Sequence, residues 1–348
     1  MTVYWLACFS SVLLMWFVTH IKQQNGRGYT LLAAFLAAAP LLFISAIRYN
    51  VGADYMPYYR YYIDIMNGGG QGRFESLYYT LNVVLASFNL DPEWLFFAVA
   101  AIFLIPVYSR IIKDSPYPGM SVFLLVGMTY YFYLLNGARQ MMGAACLLLS
   151  VPFVAKKQFV PFAGLVLVAT GFHMTSIVFF GLYFLVRLHF GVKLLAGITV
   201  LMFLFSQAIG NVGNQILGSF GNYASYIDSA FASRGQGYIA LAMNILITVF
   251  CTVFYQKGNG LYKVYYTMQI ISLWASALTG TIVLIDRFRM VFGLADIVLI
   301  PMAIQNIKNR WMRIGSAVGI VLLYFIYATY TVVVQNSNTV LPYQTIFD

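Results

Sequence analysis

Apolar runs long enough to cross a bilayer recur along almost the whole chain, separated by short polar connections. One crossing helix needs about 20 mostly apolar residues. The runs lie at 3–20, 30–47, 93–112, 119–135, 137–155, 158–171, 173–187, 193–210, 238–256, 264–285, 287–306 and 314–334. The pattern predicts an all-α polytopic membrane protein with about twelve transmembrane helices, within a range of about 10–13.

The connections leave no room for a soluble domain, so we predict a single integral membrane domain over residues 1–348. Its outer parts are the loops 48–92 and 211–237 and the tail 335–348. Within the first loop, segment 75–88 is amphipathic and short for a crossing. If it crossed, the connection NLDPE would lie inside with two acids and no base, and every later loop would invert. We therefore predict an amphipathic helix on or in the outer membrane interface.

Composition supports this interpretation, because 61% of the residues are hydrophobic and only 9% are charged. A soluble domain needs about a quarter of its residues charged. The formal charge of +10 lies in short clusters between apolar runs, which encodes topology and does not indicate a nucleic-acid partner. Cys8, Cys146 and Cys251 lie singly inside apolar runs, and no phosphate-binding loop is present. We expect neither a metal nor a cofactor.

The basic residues divide by side when both ends of the chain are placed outside. All lysines then lie in the inner connections, whereas the outer bases are all arginines: Arg48, Arg60, Arg73, Arg139, Arg234, Arg287 and Arg289. A guanidinium binds carboxylate or phosphate oxygens in a bidentate way, which an ammonium does not. The pattern predicts an anionic substrate at the outer face. The alternative is pairing with the outer acids: Asp54, Asp64, Glu75, Asp228 and Asp286.

The first cluster of polar residues follows the second run, in IRYNVGADYMPYYRYY. Arg48 lies at the membrane edge, and Asp54 is a carboxylate able to deprotonate a sugar hydroxyl. Tyr55 and Tyr58 offer rings that pack on sugar faces, although tyrosines at a membrane interface are also ordinary belt residues. Arg48 with Asp54 is the pair that favours a functional interpretation.

A second cluster enters a helix directly after a tight turn. Arg139 and Gln140 follow Asn136 and Gly137, so they occupy a helix N-terminus, which favours phosphate. The alternative for Arg139 is an arginine that snorkels to the interface. His173, between two runs, is the histidine predicted near the outer face; it is a candidate catalyst or a packing residue.

The last cluster is the hairpin IDRFRMVF, where Asp286 stands beside two arginines. Arg287 and Arg289 are two residues apart and therefore on different faces of a helix. One arginine could pair with Asp286 while the other faces a cavity. Asp296 lies about two turns deeper, as a buried partner or, in a transporter, a proton-relay carboxylate.

These motifs, in this order, resemble the EpsG family of Wzy-type bacterial polysaccharide polymerases. The resemblance rests on Arg48-x-x-Val51-Gly52-x-Asp54-Tyr55-x-x-Tyr58, Arg139-Gln140, Phe172-His173-x-x-Ser176, the Arg287/Arg289 hairpin, and the tail Val340-Leu341-Pro342-Tyr343 with Phe347. It implies a GT-C-like glycosyltransferase of the bacterial inner membrane, acting at the periplasmic or exterior face. Such an enzyme makes O-antigen, capsule or exopolysaccharide. It moves a growing glycan from undecaprenyl pyrophosphate to the non-reducing end of a lipid-linked repeat unit.

The implied partners are undecaprenyl-pyrophosphate-linked oligosaccharides, with a chain-length regulator and a flippase as further partners. In this hypothesis Arg48, Arg139, Gln140, Arg287 and Arg289 bind the substrate, while Tyr55 and Tyr58 shape the sugar site. Asp54 is the first candidate for the base, and His173 is the second. The alternatives are an O-antigen ligase with the same donor, a flippase for lipid-linked oligosaccharides, and a membrane acyltransferase using His173.

Overall fold

The computed structural model describes residues 1–25, 29–188, 192–219, 237–283 and 285–348. Within them the secondary structure is helical, apart from one isolated antiparallel bridge between Arg48 and Thr345. Asp228, Arg234 and most of the predicted outer loop 211–237 lie outside the described residues.

The α-helices are, in order, α1 Thr2–Asn25, α2 Thr30–Ala46, α3 Tyr55–Met66, α4 Ser76–Ser87, α5 Pro92–Asp114, α6 Pro118–Gly127, α7 Tyr130–Leu134, α8 Ala138–Ala155, α9 Phe159–Phe172, α10 Phe180–Leu185, α11 Val192–Leu204, α12 Ser206–Ser219, α13 Tyr238–Val253, α14 Gly260–Ala277, α15 Ile285–Gly293, α16 Asp296–Gln305 and α17 Arg310–Thr329. A 3-10 turn, Met174–Phe179, precedes α10, and a π-helical turn, Tyr330–Val334, extends α17. The chain forms two compact units: unit 1 is Met1–Phe180 with Ile307–Asp348, and unit 2 is Gly181–Asn306.

Each predicted apolar run contains helix, which confirms the all-helical class. By length and composition, four helical stretches of the described chain can cross a membrane: Thr2–His20, Pro92–Asp114, Ala138–Ala155 and Arg310–Val334. The number rises to six if two bent pairs each form one span: Lys193–Leu204 with Ser206–Ile216, bent by 73°, and Ile285–Gly293 with Asp296–Gln305, bent by 43°. Twelve crossings and a GT-C-like architecture stay predictions.

Several predicted runs are interrupted where the backbone leaves the helical conformation. The run 119–135 divides at Thr129, whose φ of 68° is left-handed. The boundary predicted between the runs 158–171 and 173–187 is also present, at His173, an extended residue with φ −153° and ψ 117°. Breaks of this kind place polar side chains at helix ends, where their backbone groups also lack helical partners.

In unit 1, α5 packs extensively against both α2 and α8. The buried face of α2 carries alanines, including Ala34 and Ala37, which let neighbouring backbones approach. Helix α5, which packs against α2, supplies larger buried side chains such as Phe103 and Val107. Helix α5 therefore has α2 and α8 as its main neighbours.

Two glycines allow close packing in unit 1, one between α8 and the 3-10 turn and the other between α9 and α4. On α8, a Cβ at Gly143 would lie 2.6 Å from the Ser176 hydroxyl, so only glycine allows α8 and the 3-10 turn to pack at this distance. On α9, a Cβ at Gly171 would lie 2.6 Å from Leu77 Cγ at the start of α4. The beginnings of α4 and α8 therefore meet near the residue that ends α9, His173.

Helices α3 and α4 have 12 residues each, or about 18 Å, against a hydrocarbon core of about 30 Å. On α4, Val84 is 47% exposed, and Phe88, which follows α4, is 71% exposed. Both features agree with the prediction that segment 75–88 does not cross the membrane.

The tail 335–348 pairs with the chain that leaves α2. The backbone N–H of Tyr49 donates to the Gln344 carbonyl at 3.0 Å, and that of Ile346 donates to the Ile47 carbonyl at 2.9 Å. These two bonds flank the Arg48–Thr345 bridge and fix the register of the pairing.

Two tyrosine hydroxyls anchor the same tail from its sides. Tyr343 donates to the Ile44 carbonyl at 2.9 Å, at the end of α2. Tyr4, at the start of α1, donates to the Val340 carbonyl at 2.9 Å. The rings of Tyr4 and Tyr343 also pack edge to face, 5.4 Å apart. The start of α1, the end of α2 and the tail therefore lie at one end of unit 1.

In unit 2, α14 packs mainly against α15 and also against α13. A buried polar group joins these helices: Gln269 Nε2 donates to Asn244 Oδ1 at 3.2 Å, and the Ser272 hydroxyl donates to the Arg289 carbonyl at 3.0 Å. Buried polar groups in a membrane domain need such partners, and here they fix the position of α15 along α14.

Candidate functional site

One carboxylate, Glu75, joins two of the predicted site residues. Glu75 is the extended residue that precedes α4. Its Oε2 forms an ion pair with Arg139 Nη1, in the first turn of α8. Its Oε1 lies 3.1 Å from His173 Nδ1 and also accepts the backbone N–H of Met174 at 3.1 Å. A cation, an anion and a titratable ring therefore meet where α4, α8 and α9 converge.

The site is partly sealed from solvent. The side chains of Arg139 and Glu75 are 21% and 18% exposed, and that of His173 is 7% exposed. Burial alone would raise the pKa of the Glu75 carboxyl, but the hydrogen bond from His173, the charge of Arg139 and the Met174 N–H lower it to about 2. Because an ionised carboxylate only accepts, Nδ1 of His173 carries the proton in this pair. In the neutral ring, Nε2 then holds the lone pair.

Aromatic rings hold the Arg139 guanidinium from its other side. Its Cζ lies 4.1 Å from the centre of the Phe74 ring, in cation–π geometry, and the guanidinium also donates to the Tyr58 hydroxyl. Arg73, next in sequence to Phe74, approaches the same ring with its Cζ at 5.6 Å. The predicted site residues Arg139, His173 and Tyr58 thus belong to one cluster.

Arg48 lies elsewhere at this end of unit 1 and is only 2% exposed. Its Nη1 donates to the Val51 carbonyl at 2.7 Å and to the Leu135 carbonyl at 2.9 Å. Its Cζ lies 4.8 Å from the Phe96 ring centre and 5.5 Å from that of Tyr55. This enclosure favours a role in holding the loop after α2 against the turn before α8 over direct contact with a substrate.

The backbone conformation and close surroundings of Gly52 explain why the first motif has a glycine at this position. Its φ is +98°, and a Cβ there would lie 3.0 Å from the Leu135 carbonyl oxygen and 3.2 Å from Arg48 Nη1. Its backbone N–H donates to the Thr339 carbonyl at 3.0 Å. The loop, the α7–α8 turn and the tail therefore meet at a position that only glycine fits.

Other predicted site residues are mostly buried by packing. Asp54 is the half-buried residue that precedes α3. Tyr55 is fully buried and stacks on Phe96 with ring centres 4.4 Å apart. Gln140 is 6% exposed, and its Oε1 accepts from the Tyr133 hydroxyl at 3.0 Å. Sugar contacts by Tyr55, and substrate contacts by Gln140, stay predictions.

The remaining predicted arginines lie in unit 2. Arg289 Nε donates to Asp286 Oδ1 at 2.9 Å, which confirms that one arginine of the hairpin pairs with this acid. The same oxygen accepts from the Thr279 hydroxyl at 3.2 Å. Arg287 is half-buried. Asp296 is 1% exposed, and its Oδ1 has no hydrogen-bond partner among the described residues.

Sequence reasoning named Glu75 only as one of five possible counter-ions. Its partners are 64 and 98 residues away in the chain, so spacing alone does not connect them. The available signal is local: an acid directly before a short amphipathic helix, flanked by a phenylalanine and a serine. Within the described part of the chain, no three His, Cys, Asp or Glu residues form a group that could hold a metal ion.

The cluster can therefore bind an anion through Arg139 and accept a proton through His173. In comparison with known proteins, the model of the EpsG family matches residues 31–345. No curated protein and no solved structure matches the chain. The matched residues cover nearly the whole chain and include every motif position from Arg48 to Tyr343. The chain belongs to the EpsG family, whose members are Wzy-like polysaccharide polymerases.

Proposed function

We propose that this protein lengthens a polysaccharide at the outer face of the bacterial inner membrane. The donor is a growing glycan on undecaprenyl pyrophosphate, and the acceptor is the non-reducing-end hydroxyl of a lipid-linked repeat unit. The observation that carries the proposal is the Glu75 carboxylate, which holds Arg139 and His173 together. A cation for a diphosphate and an acceptor for a proton are the two groups that such a transfer needs.

In the proposed reaction, His173 Nε2 takes the proton of the acceptor hydroxyl while Nδ1–H donates to Glu75. The acceptor oxygen forms a new bond to the anomeric carbon of the donor sugar. The bond between that carbon and the diphosphate oxygen breaks, and its electron pair leaves with the diphosphate. Arg139 stabilises the developing charge. Glu75 acts as a positioning residue, because it orients both groups and touches neither reacting atom.

His173 replaces Asp54 as our first candidate for the base. The hydrogen bond to Glu75 fixes the ring orientation and the Nδ1 proton, as carboxylates do for catalytic histidines. Asp54 stays the second candidate. Arg48, which is enclosed by carbonyls and rings, is proposed to support the turn that carries Arg139.

The test uses purified protein in lipid nanodiscs supplied with lipid-linked repeat units, and polymer is resolved as a ladder on a gel. We expect His173→Ala to slow ladder formation by about 10²–10⁴-fold, the usual contribution of a general base. His20→Ala is the matched control, since His20 is an exposed residue that stacks on Trp16. If His173→Ala keeps the wild-type rate while Asp54→Asn loses it, the base is Asp54. Wild-type rates in both variants would remove both assignments.

Two further arms of the experiment separate the alternatives. Replacing the repeat-unit acceptor by a lipid A core should give no product, whereas an O-antigen ligase would use it. Orientation is tested with Arg60→Cys, because Arg60 is exposed on α3. A membrane-impermeant maleimide should label this cysteine from outside in intact cells. Labelling that needs permeabilised cells would contradict the proposed outward-facing site.

A further inference from the structure

Phe74 brings two guanidinium groups to one ring. The Cζ atoms of Arg139 and Arg73 lie 4.1 Å and 5.6 Å from its centre, and adding these distances limits their separation to at most 9.7 Å. Each guanidinium can bind a phosphate through paired hydrogen bonds of about 2.7–2.9 Å. At this spacing two linked phosphates can each meet one guanidinium, so a diphosphate offers the pair more charge and more acceptor oxygens than a single phosphate does.

The two arginines differ in what they already bind. Arg139 is paired with Glu75, whose pKa of about 2 keeps it ionised. Arg73 is exposed and, among the described residues, takes part in no ion pair. The three side chains together therefore carry one net positive charge. A diphosphate that reaches Arg139 meets the Glu75 carboxylate as a like charge.

We propose that Arg73 and Arg139, held on Phe74, form the binding site for a diphosphate group, and that Glu75 competes with this group for Arg139. The inference rests on the proposed function and deepens it by adding Arg73. It also gives Glu75 a second effect, because the carboxylate that orients His173 weakens diphosphate binding. After transfer, Glu75 is in place to pair again with Arg139 as the diphosphate product leaves.

The experiment measures binding to the full chain in nanodiscs at constant ionic strength. The probes are inorganic pyrophosphate, a short-chain polyprenyl diphosphate, and inorganic phosphate for comparison. We expect both diphosphates to bind more tightly than phosphate. Arg73→Ala should weaken diphosphate binding by about tenfold or more, as expected for loss of a charge-assisted hydrogen bond. Arg60→Ala is the matched control, because it removes one exposed arginine from the same outer loop.

Removing the Glu75 charge should have the opposite effect on diphosphate binding. Glu75→Gln should tighten pyrophosphate binding several-fold while slowing polymer formation, so KM and kcat fall together. Glu93→Gln, which removes the other glutamate of the chain, should change neither. If Glu75→Gln proves unstable, Glu75→Asp serves instead, because the shorter side chain withdraws its charge from Arg139.

Equal weakening by Arg73→Ala and Arg60→Ala would show a general charge effect and overturn the assignment. Unchanged or weaker diphosphate binding in the Glu75 variants would overturn the competition. Binding of inorganic pyrophosphate without the polyprenyl diphosphate would rule out a lipid-linked ligand. Diphosphate binding with the expected variant pattern but no ladder from any repeat unit would leave this site standing and refute the polymerase mechanism, so the two failures are distinguishable.

Discussion

The charge of Glu75 should stabilise the folded protein in a pH-dependent way, and Glu75→Gln removes it. The folded-state pKa falls from an ordinary value of 4.5 to about 2. A pKa change of this size corresponds to roughly 3 kcal/mol. Because the Glu75 side chain is 18% exposed, solvent screening reduces the expected contribution to about 2–3 kcal/mol.

The direction follows from the depressed pKa of Glu75. The stabilisation is fully present above the unfolded-state pKa, near 4.5, and is lost as the pH falls toward 2. Thermal unfolding of detergent-solubilised protein, followed by tryptophan fluorescence, measures the effect. At pH 7 we expect Glu75→Gln to lower Tm by about 3–4 °C, because an unfolding entropy of about 2.1 cal/mol/K per residue over 348 residues gives roughly 1.4 °C for each kcal/mol. The difference should shrink through pH 4 to 3 and approach zero near pH 2.

The control is Glu93→Gln, which makes the same change elsewhere in unit 1, at a glutamate that forms no ion pair among the described residues, and which should lower Tm by less than Glu75→Gln does. A Tm difference between wild type and Glu75→Gln that stays constant from pH 7 to pH 2 would refute the reasoning. The cost of the substitution would then come from shape or packing and not from the ion pair and hydrogen bonds of the carboxylate.

Three further substitutions test other parts of unit 1. Gly52→Ala should destabilise by about 1–3 kcal/mol, measured as a lower Tm, because it forces a φ of +98° and crowds the Leu135 carbonyl. Tyr343→Phe removes the hydrogen bond to the Ile44 carbonyl and should cost about 1 kcal/mol in the same assay. Arg139→Lys keeps the charge but loses paired donors; losing one charge-assisted bond of about 1.5–3 kcal/mol should slow ladder formation by tenfold to a hundredfold. Wild-type behaviour in any of the three would contradict the contact it tests.

Periodicity and composition predict the helical membrane class well, because apolar runs of this length have few other stable forms. They predict some breaks and miss others. The extended residue His173 lies at the boundary predicted between the runs 158–171 and 173–187, whereas Thr129 adopts a left-handed conformation inside the run 119–135. The sequence also does not show the close approach that Gly143 permits between α8 and the 3-10 turn.

The sequence predicts which types of residue form the candidate site, but it predicts only part of the roles that these residues have. Dividing the charges by side of the membrane drew attention to Arg139, and the position of His173 between two runs drew attention to that histidine. Neither singled out Glu75, the carboxylate between them, from the other outer acids. Arg48 illustrates the opposite case: a motif arginine at a predicted membrane edge turns out to donate to two backbone carbonyls. A sequence gives the donor groups of an arginine, whereas the choice between ligand and backbone acceptors is made by the folded chain.

The pairing of the tail with the loop after α2 also constrains the order of assembly. Its contacts join residues 299 and 336 positions apart, so each closes a loop containing most of the chain. Contacts of such high sequence separation form late in folding, because the loop must close, at an entropic cost, before the contact can stabilise the chain. While the protein is being inserted into the membrane, the loop after α2 and the turn before α8 therefore lack their contacts with the tail until that distant segment has been made. A ribosome-bound intermediate halted after α9 would contain Glu75, Arg139 and His173, yet its Arg48 loop would still be open to proteases and labels.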